Sequence, residues 1–565
     1  MLRLTLVFIV ISTLAFGQKV KREELTKKQY NYYDYNKSKI ESEGYFYSSI
    51  VGETRLKHGR WKYYDKKGTL VEVRNYYKNN LHGETVSFYE NGKKDSQGFF
   101  KHGKQDSIYR SWNEMGNLEE QGYFSEGVAV GKWEYFYRDG RKKLVERIEN
   151  DESKVESFWL PDEKHTQTIV NGSGEMKTFF TNANLKSRYH YKNGLKDGKF
   201  EEASVYGYIL VKGSFKENEK DGEWKYFYFT GDLEKVVHYK EGELHGDYKY
   251  YYDSDTLNVS GQFQNGGKYG LWTWYTNEGN IDMQGEFQDN LQHGDWMYNY
   301  PTGELAYNAY YEEGQKEGEW TYFYKDGSNF KLGHFKDNLK HGLWKTWYEN
   351  GNLLMEGNYE EGKEEGEWKN YWENGRLKNL AFFENGELNG DWLSNYENGK
   401  PLHVGQYKNN LKIGEWTSYF DNGRVKDIGS YKIVEKKTGV KNSPVEKMVS
   451  LKSVKDGKWL SYSQKDFKLT IEGEYKNGEK HGEWIAYYPG GRVSANVSHY
   501  KNGKLDGKMV EYTRRGGNIK SEAEYKNGKR HGKVVIYNKK GEVAKEEKYE
   551  NGIRIIERPS FSPGR

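Results

Sequence analysis

Short runs of alternating aromatic and polar residues, each closed by a glycine-containing turn, recur along most of this chain. Lys316-Glu317-Gly318-Glu319-Trp320-Thr321-Tyr322-Phe323-Tyr324-Lys325-Asp326-Gly327 is one such run. Its Gly318 belongs to the series Gly198, Gly222, Gly246, Gly270, Gly294, Gly318, Gly342, Gly366, Gly390 and Gly414, in which every step is 24 residues. A fixed period of this length marks a repeat array. Counted from that marker glycine as zero, a first strand carries Trp at +2 and an aromatic at +5, and a turn covers +7 to +9. A second strand begins near +11 with Leu, holds glycine at +15 and ends on an aromatic at +17, and a second turn lies at +19 and +20.

That second turn is Asn-Gly at Asn193-Gly194, Asn385-Gly386, Asn477-Gly478, Asn502-Gly503 and Asn527-Gly528. Both residues tolerate positive φ, which makes the pair the strongest short hairpin signal. Turns every 11 to 13 residues, with no long segment of helical period, exclude a helical repeat. The pattern predicts an all-β fold, a single elongated solenoid of stacked antiparallel hairpins extending roughly 180 Å at two strands per unit. The glycines at 0 and +15 are expected where an aromatic of a neighbouring strand lies across the backbone. Aromatics at +2 and +5 are an odd number of positions apart, so either a bulge separates them or both faces of the sheet carry aromatics.

The markers fall in three blocks. Gly59, Gly83, Ser107 and Gly131 form the first, Gly174 to Gly414 the second in steps of 24, and Gly457, Gly482, Gly507 and Gly532 the third in steps of 25, for 19 units in all. Both gaps between blocks are 43 residues, near 141–173 and 432–456. Each reads as one normal unit followed by a shortened one, around Trp159-Leu160-Pro161-Asp162 and Lys441-Asn442-Ser443-Pro444, with an extruded loop as the alternative; turns containing Pro fit either. Tyr32-Tyr33-Asp34 echoes Tyr63-Tyr64-Asp65 and marks an atypical first unit. The array therefore spans 30–552, preceded by a flexible charged lead-in at 18–29 and followed by a tail at 553–565.

The first 17 residues have the form of a signal peptide. Arg3 supplies the positive start, Leu4 to Phe16 the short apolar run, and Ala15 and Gly17 the small residues of a cleavage site before Gln18. The expected destination is outside the cytoplasm: periplasm, outer surface or medium.

Composition sharpens this. Cysteine is absent, which removes disulfides, thiolate zinc sites and thiol nucleophiles. The 88 basic and 84 acidic side chains give +4, or +3 without Arg3, a near balance that argues against nucleic acid as partner. With 51 Tyr, 25 Phe and 17 Trp, the chain is too aromatic for a disordered one.

The stretch Tyr475-Lys476-Asn477-Gly478-Glu479-Lys480-His481-Gly482-Glu483-Trp484 resembles the MORN repeat, in the bacterial variant described as antitoxin-like. Tyr239-Lys240-Glu241-Gly242-Glu243-Leu244-His245-Gly246-Asp247-Tyr248 gives the same pattern with Tyr for Trp. The resemblance runs from about Tyr30 to Gly552. It implies stacked β-hairpins and non-enzymatic binding, often to proteins or membranes, and the antitoxin description implies a cognate toxin.

No residue set reads as catalytic, cofactor-binding or metal-binding. His58, His82, His245, His293, His341, His481 and His531 share the slot before the marker, a turn position inherited by duplication. Successive slots lie about 10 Å apart, too far to share a metal. Glu317, Glu319, Glu365 and Glu367 recur as an edge of the repeat rather than as the single pair a glycosidase needs. His165, Asp162 and Glu163 sit in the first gap without a recognisable motif. Tryptophan at +2 in twelve units reads as core. The five tryptophans off that slot, Trp112, Trp159, Trp274, Trp347 and Trp372, are the candidate binding residues. The expected function is a non-enzymatic scaffold for protein contacts, with glycan or lipid head-group binding in the envelope, and antitoxin-like binding of a toxin, as alternatives.

Overall fold

In the computed structural model, residues 21, 24–49, 52–438 and 448–556 are described. They fall into two compact units, one comprising the chain to Tyr269 with Asn277–Gly279, the other Gly270–Thr276 and the chain from Asn280. Each unit is an all-β array of stacked antiparallel hairpins. Within it every strand pairs with the strands before and after it in sequence, as Gln315–Phe323 does with Leu305–Glu312 and Asn329–Lys336. The signal-peptide segment and Lys441 to Pro444 lie outside the described residues.

One face of the sheet is built around the tryptophan at +2. In the cluster of Trp296, Ala309, Tyr311 and Trp320, the surrounding rings and thioether are Trp274, Met283, Phe287, Tyr298, Tyr307, Tyr322 and Phe335. These are positions +2, +4, +13, +15 and +17 of successive units, so alternation runs through +2 and +4 rather than +2 and +5. Trp320 meets Phe335 edge-on at 5.1 Å and Tyr322 at 6.3 Å between centroids. Such pairs add about 0.5–1.5 kcal/mol each beyond area burial. A lysine at −2 covers the outer face of the indole, with Nζ 4.8 Å from the Trp320 centroid at Lys316, 4.7 Å at Lys340 and 3.9 Å at Lys412. The ammonium rests on the ring while its stem shields it.

The two glycine slots have different causes. At +15 the expected close approach is present: a methyl group on Gly333 or Gly357 would overlap the indole of Trp344 or Trp368. At the marker it is not the rule. A Cβ on Gly294 or Gly366 would meet nothing within 4 Å. The requirement there is a left-handed backbone, φ 69° at Gly294 and 67° at Gly366, adopted even by Ser107 at 66°. The reason is a bulge. Gly285 faces Trp296 while Glu286 faces His293, so Gly294 and Asp295 have no opposite residue on that strand, although they pair with Tyr311 and Tyr310 on the next. The bulge frees a carbonyl, and the indole N–H takes it: Trp296 Nε1 donates to Glu286 O at 3.2 Å, Trp320 to Tyr310 O at 3.2 Å and Trp344 to His334 O at 3.1 Å. Marker glycine and tryptophan are thus two halves of one device.

The gaps between blocks differ from one another. In the first, Glu152–Trp159 is followed by a strand of only four residues, Gln167–Val170, and the next hairpin begins at Ser173. This is a shortened unit, and Val155, Phe158 and Ile169 fill its interior in place of a tryptophan. In the second, the strands lengthen instead. Val425–Thr438 and Met448–Tyr462 pair out to Thr438 opposite Met448, an extruded hairpin rather than a shortened unit. The 25-residue period of the third block comes from one added turn residue. Tyr324 N–H closes on Ser328 O in the second block, whereas Tyr488 closes on Val493 and Thr513 on Asn518.

Two end segments depart from expectation. The charged lead-in is tied down from Glu24: Leu25 bridges to Tyr47, Thr26 N–H donates to Phe46 O, and Gln29–Tyr32 pairs with Ile40–Ser49. The start of the tail, Ile553–Ile555, is a strand paired to Val543–Glu550. In both places unpaired edge groups of the array recruit the adjoining backbone.

Candidate interaction surface

The five off-slot tryptophans are spread along the chain and are half-buried. Trp274 is part of the core, 5.9 Å from both Trp272 and Trp296 between ring centroids. The backbone carbonyls of Trp112, Trp159 and Trp347 accept the phenol groups of Tyr89, Tyr137 and Tyr324 at 2.7, 2.6 and 2.7 Å. Trp159 also stacks on His165. Trp372 stands in the tyrosine's own slot, its Nε1 donating to Asn395 O at 3.2 Å under the Lys378 ammonium. All five therefore sit in the interlocking of neighbouring units.

The slot at +6 explains this. Tyr89, Tyr228, Tyr300, Tyr324, Tyr348 and Tyr396 each reach the carbonyl at +5 of the next unit, and Tyr137 reaches that of Trp159 in the first gap. Asparagine at +8 repeats the move at the turn: Asn350, Asn374 and Asn398 donate to Glu373, Glu397 and Asp421 carbonyls.

The histidine slot is a turn cap. The ring nitrogens of His58, His82, His245 and His531 accept the N–H of Lys78, His102, Asn265 and Asn551, each the first left-handed residue of a hairpin turn. Glu317 and Glu365 do the same for Asp337 and Asn385. His58 is fully buried beside Glu24 and Tyr47, and burial lowers its pKa. In the first gap Asp162 accepts Thr166, and His165 contacts Lys142 O. Among the described residues no group of three or more His, Asp or Glu is placed to hold a metal.

What stands out on the surface lies at the turn tips. Units elsewhere present Lys325-Asp326-Gly327-Ser328 or Glu349-Asn350-Gly351-Asn352 there, but two consecutive units present Val205-Tyr206-Gly207-Tyr208 and Phe229. Tyr206 is 75% exposed, Phe229 72%, Tyr208 53% and Val205 41%. The tips are held firmly. Asn182 and Asn184 both donate to Val205 O at 2.9 Å, Tyr208 N–H donates to the buried Ser204 hydroxyl, and Tyr228 anchors the turn that carries Phe229. The result is an apolar patch on a rigid support. Sequence reasoning passed over it by weighing tryptophans alone; the signal was apolar residues at the tips of two consecutive turns in a row that is mostly polar, with isolated exceptions such as Met115.

The profile of the MORN repeat variant matches residues 57–79, 81–102, 220–241, 244–265, 340–361, 364–385, 388–409 and 412–432. These segments are MORN repeats. Each match begins two residues before a marker glycine, at the −2 position that holds lysine over the tryptophan in units such as those of Lys57, Lys220, Lys340 and Lys412. Each match thus covers the bulge, the +2 side chain and the second strand with its turn, with lysine at −2 in four of the eight and tryptophan at +2 in six. No curated protein matches the chain. Among solved structures it is similar to TcdB2-TccC3-Cdc42 (9% identity, 90% of this chain, 31% of that chain, TM-score 0.13). TcdB2-TccC3 without its hypervariable C-terminal region matches at 11% identity, 91% of this chain, 34% of that chain and TM-score 0.12. A Photorhabdus luminescens Tc holotoxin pore matches at 12% identity, 87% of this chain, 28% of that chain and TM-score 0.11. The chain spans about a third of the length of these chains, and at these scores the likeness carries no argument.

Proposed function

We propose that this chain is an exported, non-enzymatic MORN-repeat protein that serves as an extended scaffold for protein contacts. The observation that carries the reading is the apolar turn-tip patch of Val205, Tyr206, Tyr208 and Phe229. Apolar side chains clustered at turn tips on a rigid frame mark an interaction site, and aromatic side chains are the residue types that most often dominate such interfaces. Export is supported by Arg3, the apolar run from Leu4 to Phe16, and Ala15-Phe16-Gly17. In-cell crosslinking with fractionation tests the proposal. A protein adduct outside the cytoplasm that is lost in the Tyr206→Ser/Phe229→Ser double variant is expected. Retention of the protein in the cytoplasm, or capture of glycan or lipid instead of protein, overturns it.

A further inference from the structure

A hollow lies among the lengthened turns of the third block. A cavity of about 410 Å³ is lined by Asp466, Lys468, Tyr488, Pro489, Gly490, Arg492, Val493 and Arg514, drawn from three successive turns. In earlier units a basic residue at +10 has a fixed task on the next turn. Lys93 Nζ donates to Met115 O at 2.7 Å, Arg141 to Asp162 O at 2.7 Å and Lys400 Nζ to Asn422 O at 2.9 Å. In the lengthened turn the closing position passes to Val493, and Arg492, displaced one residue before it, has among the described residues no hydrogen bond or ion pair at its guanidinium. The same holds for the side chains of Lys468 and Arg514. Asp466 is the one carboxylate in the lining, and it is engaged in holding the turns together: it accepts Lys468 N–H at 3.3 Å and takes further hydrogen bonds from Ser463 and Gly490.

Three unpartnered cations and one engaged carboxylate leave two positive charges facing one hollow. Like charges gathered without counter-charges repel, and an anion relieves that cost. A phosphomonoester, at about −1.5 to −2 near neutral pH, matches the excess. Two guanidinium forks suit its oxygens geometrically, which a single lysine would not. Tyr488, Pro489 and Val493 supply a wall for the group that bears the phosphate.

We propose that Lys468, Arg492 and Arg514 form a binding site for a phosphomonoester group, independent of the turn-tip patch. Calorimetric titration of the full mature chain with inorganic phosphate and with free phosphoserine, at low ionic strength, is the test. The expected result is one site per chain for phosphate, weakened about tenfold or more in Arg492→Gln/Arg514→Gln, a loss of two charge-assisted pairs. Binding of phosphoserine as well identifies an esterified phosphoryl group as the ligand. Binding of inorganic phosphate alone overturns the ester assignment. Absence of binding to either, equal binding in the double variant, or equally tight binding of acetate overturns the site. Both substitutions lie in exposed turns, and an unchanged melting temperature checks that the variant is folded.

Discussion

At the scale of the residue, the two glycine slots make opposite demands. Gly333→Ala places a methyl group in the ring of Trp344 and is expected to cost about 1–3 kcal/mol through overpacking, read as a lower urea midpoint. Gly366 has open space around it and needs only its left-handed φ. Gly366→Asn should therefore retain more stability than Gly366→Ala, because asparagine visits that region more readily; equal loss in the two would contradict the bulge as the reason for the marker. Tyrosines of the core report their burial through pH. Burial pushes Tyr191, Tyr307 and Tyr359 up to about 12, against about 10 in the unfolded chain. The folded state then holds more protons in that window, so stability is full below pH 10 and falls as pH rises towards 12. Lys340, Lys412 and Lys480, lowered by burial, act oppositely: the unfolded chain holds more protons up to its ordinary lysine value, so their contribution to stability rises with pH below that value. The fall should therefore set in above about pH 10.5, where the lysine contribution is complete. Tyrosinate absorbance of the native protein should lag that of the urea-unfolded chain, and coincident titrations would contradict the packing.

At the scale of the element, units are joined by side chains that reach a neighbour's backbone. Tyr324→Phe removes the hydroxyl bonded to Trp347 O and is expected to cost about 0.5–1.5 kcal/mol in denaturant unfolding. Trp372→Tyr should be close to neutral, since tyrosine fills the same slot in the units on either side. In the shortened hairpin Ile169 is fully buried, so Ile169→Ala is expected to cost about 2–5 kcal/mol. The hairpins, their turns and the +15 glycine were legible in the sequence because each answers to a local steric rule. The tyrosine row at +6 was not, since its partner is a carbonyl 23 residues on, and a carbonyl leaves no trace in residue identity. The same blindness hid that the backbone carbonyls of Trp112, Trp159 and Trp347 are the accepting side of that row. Trp274 was misplaced for another reason: Tyr298 and Tyr322, at its own +4 position, mark a core slot that the attention to +5 concealed. The two gaps have equal length but opposite solutions, because the deletion in one falls within a hairpin and the insertion in the other extends strands already paired.

At the scale of the molecule, repetition and its exceptions divide the work. In a repeat array each unit is stabilised mainly by its neighbours, and here lysine, indole, tyrosine and asparagine rows are used up in that joining. What is left for partners lies where a unit departs from the rule: the apolar tips at Tyr206 and Phe229, and the basic hollow at Arg492 and Arg514. Intact mass of the mature protein should show a chain beginning at Gln18, and an unprocessed Met1 chain would contradict export. The scaffold reading is tested most directly by a photo-crosslinking residue placed at Tyr206, compared with the same residue at Asn350 in a polar turn. The account predicts a discrete protein adduct at 206 that disappears with Phe229→Ser and is absent at 350. Equal adducts at both positions, or none at 206, would contradict it.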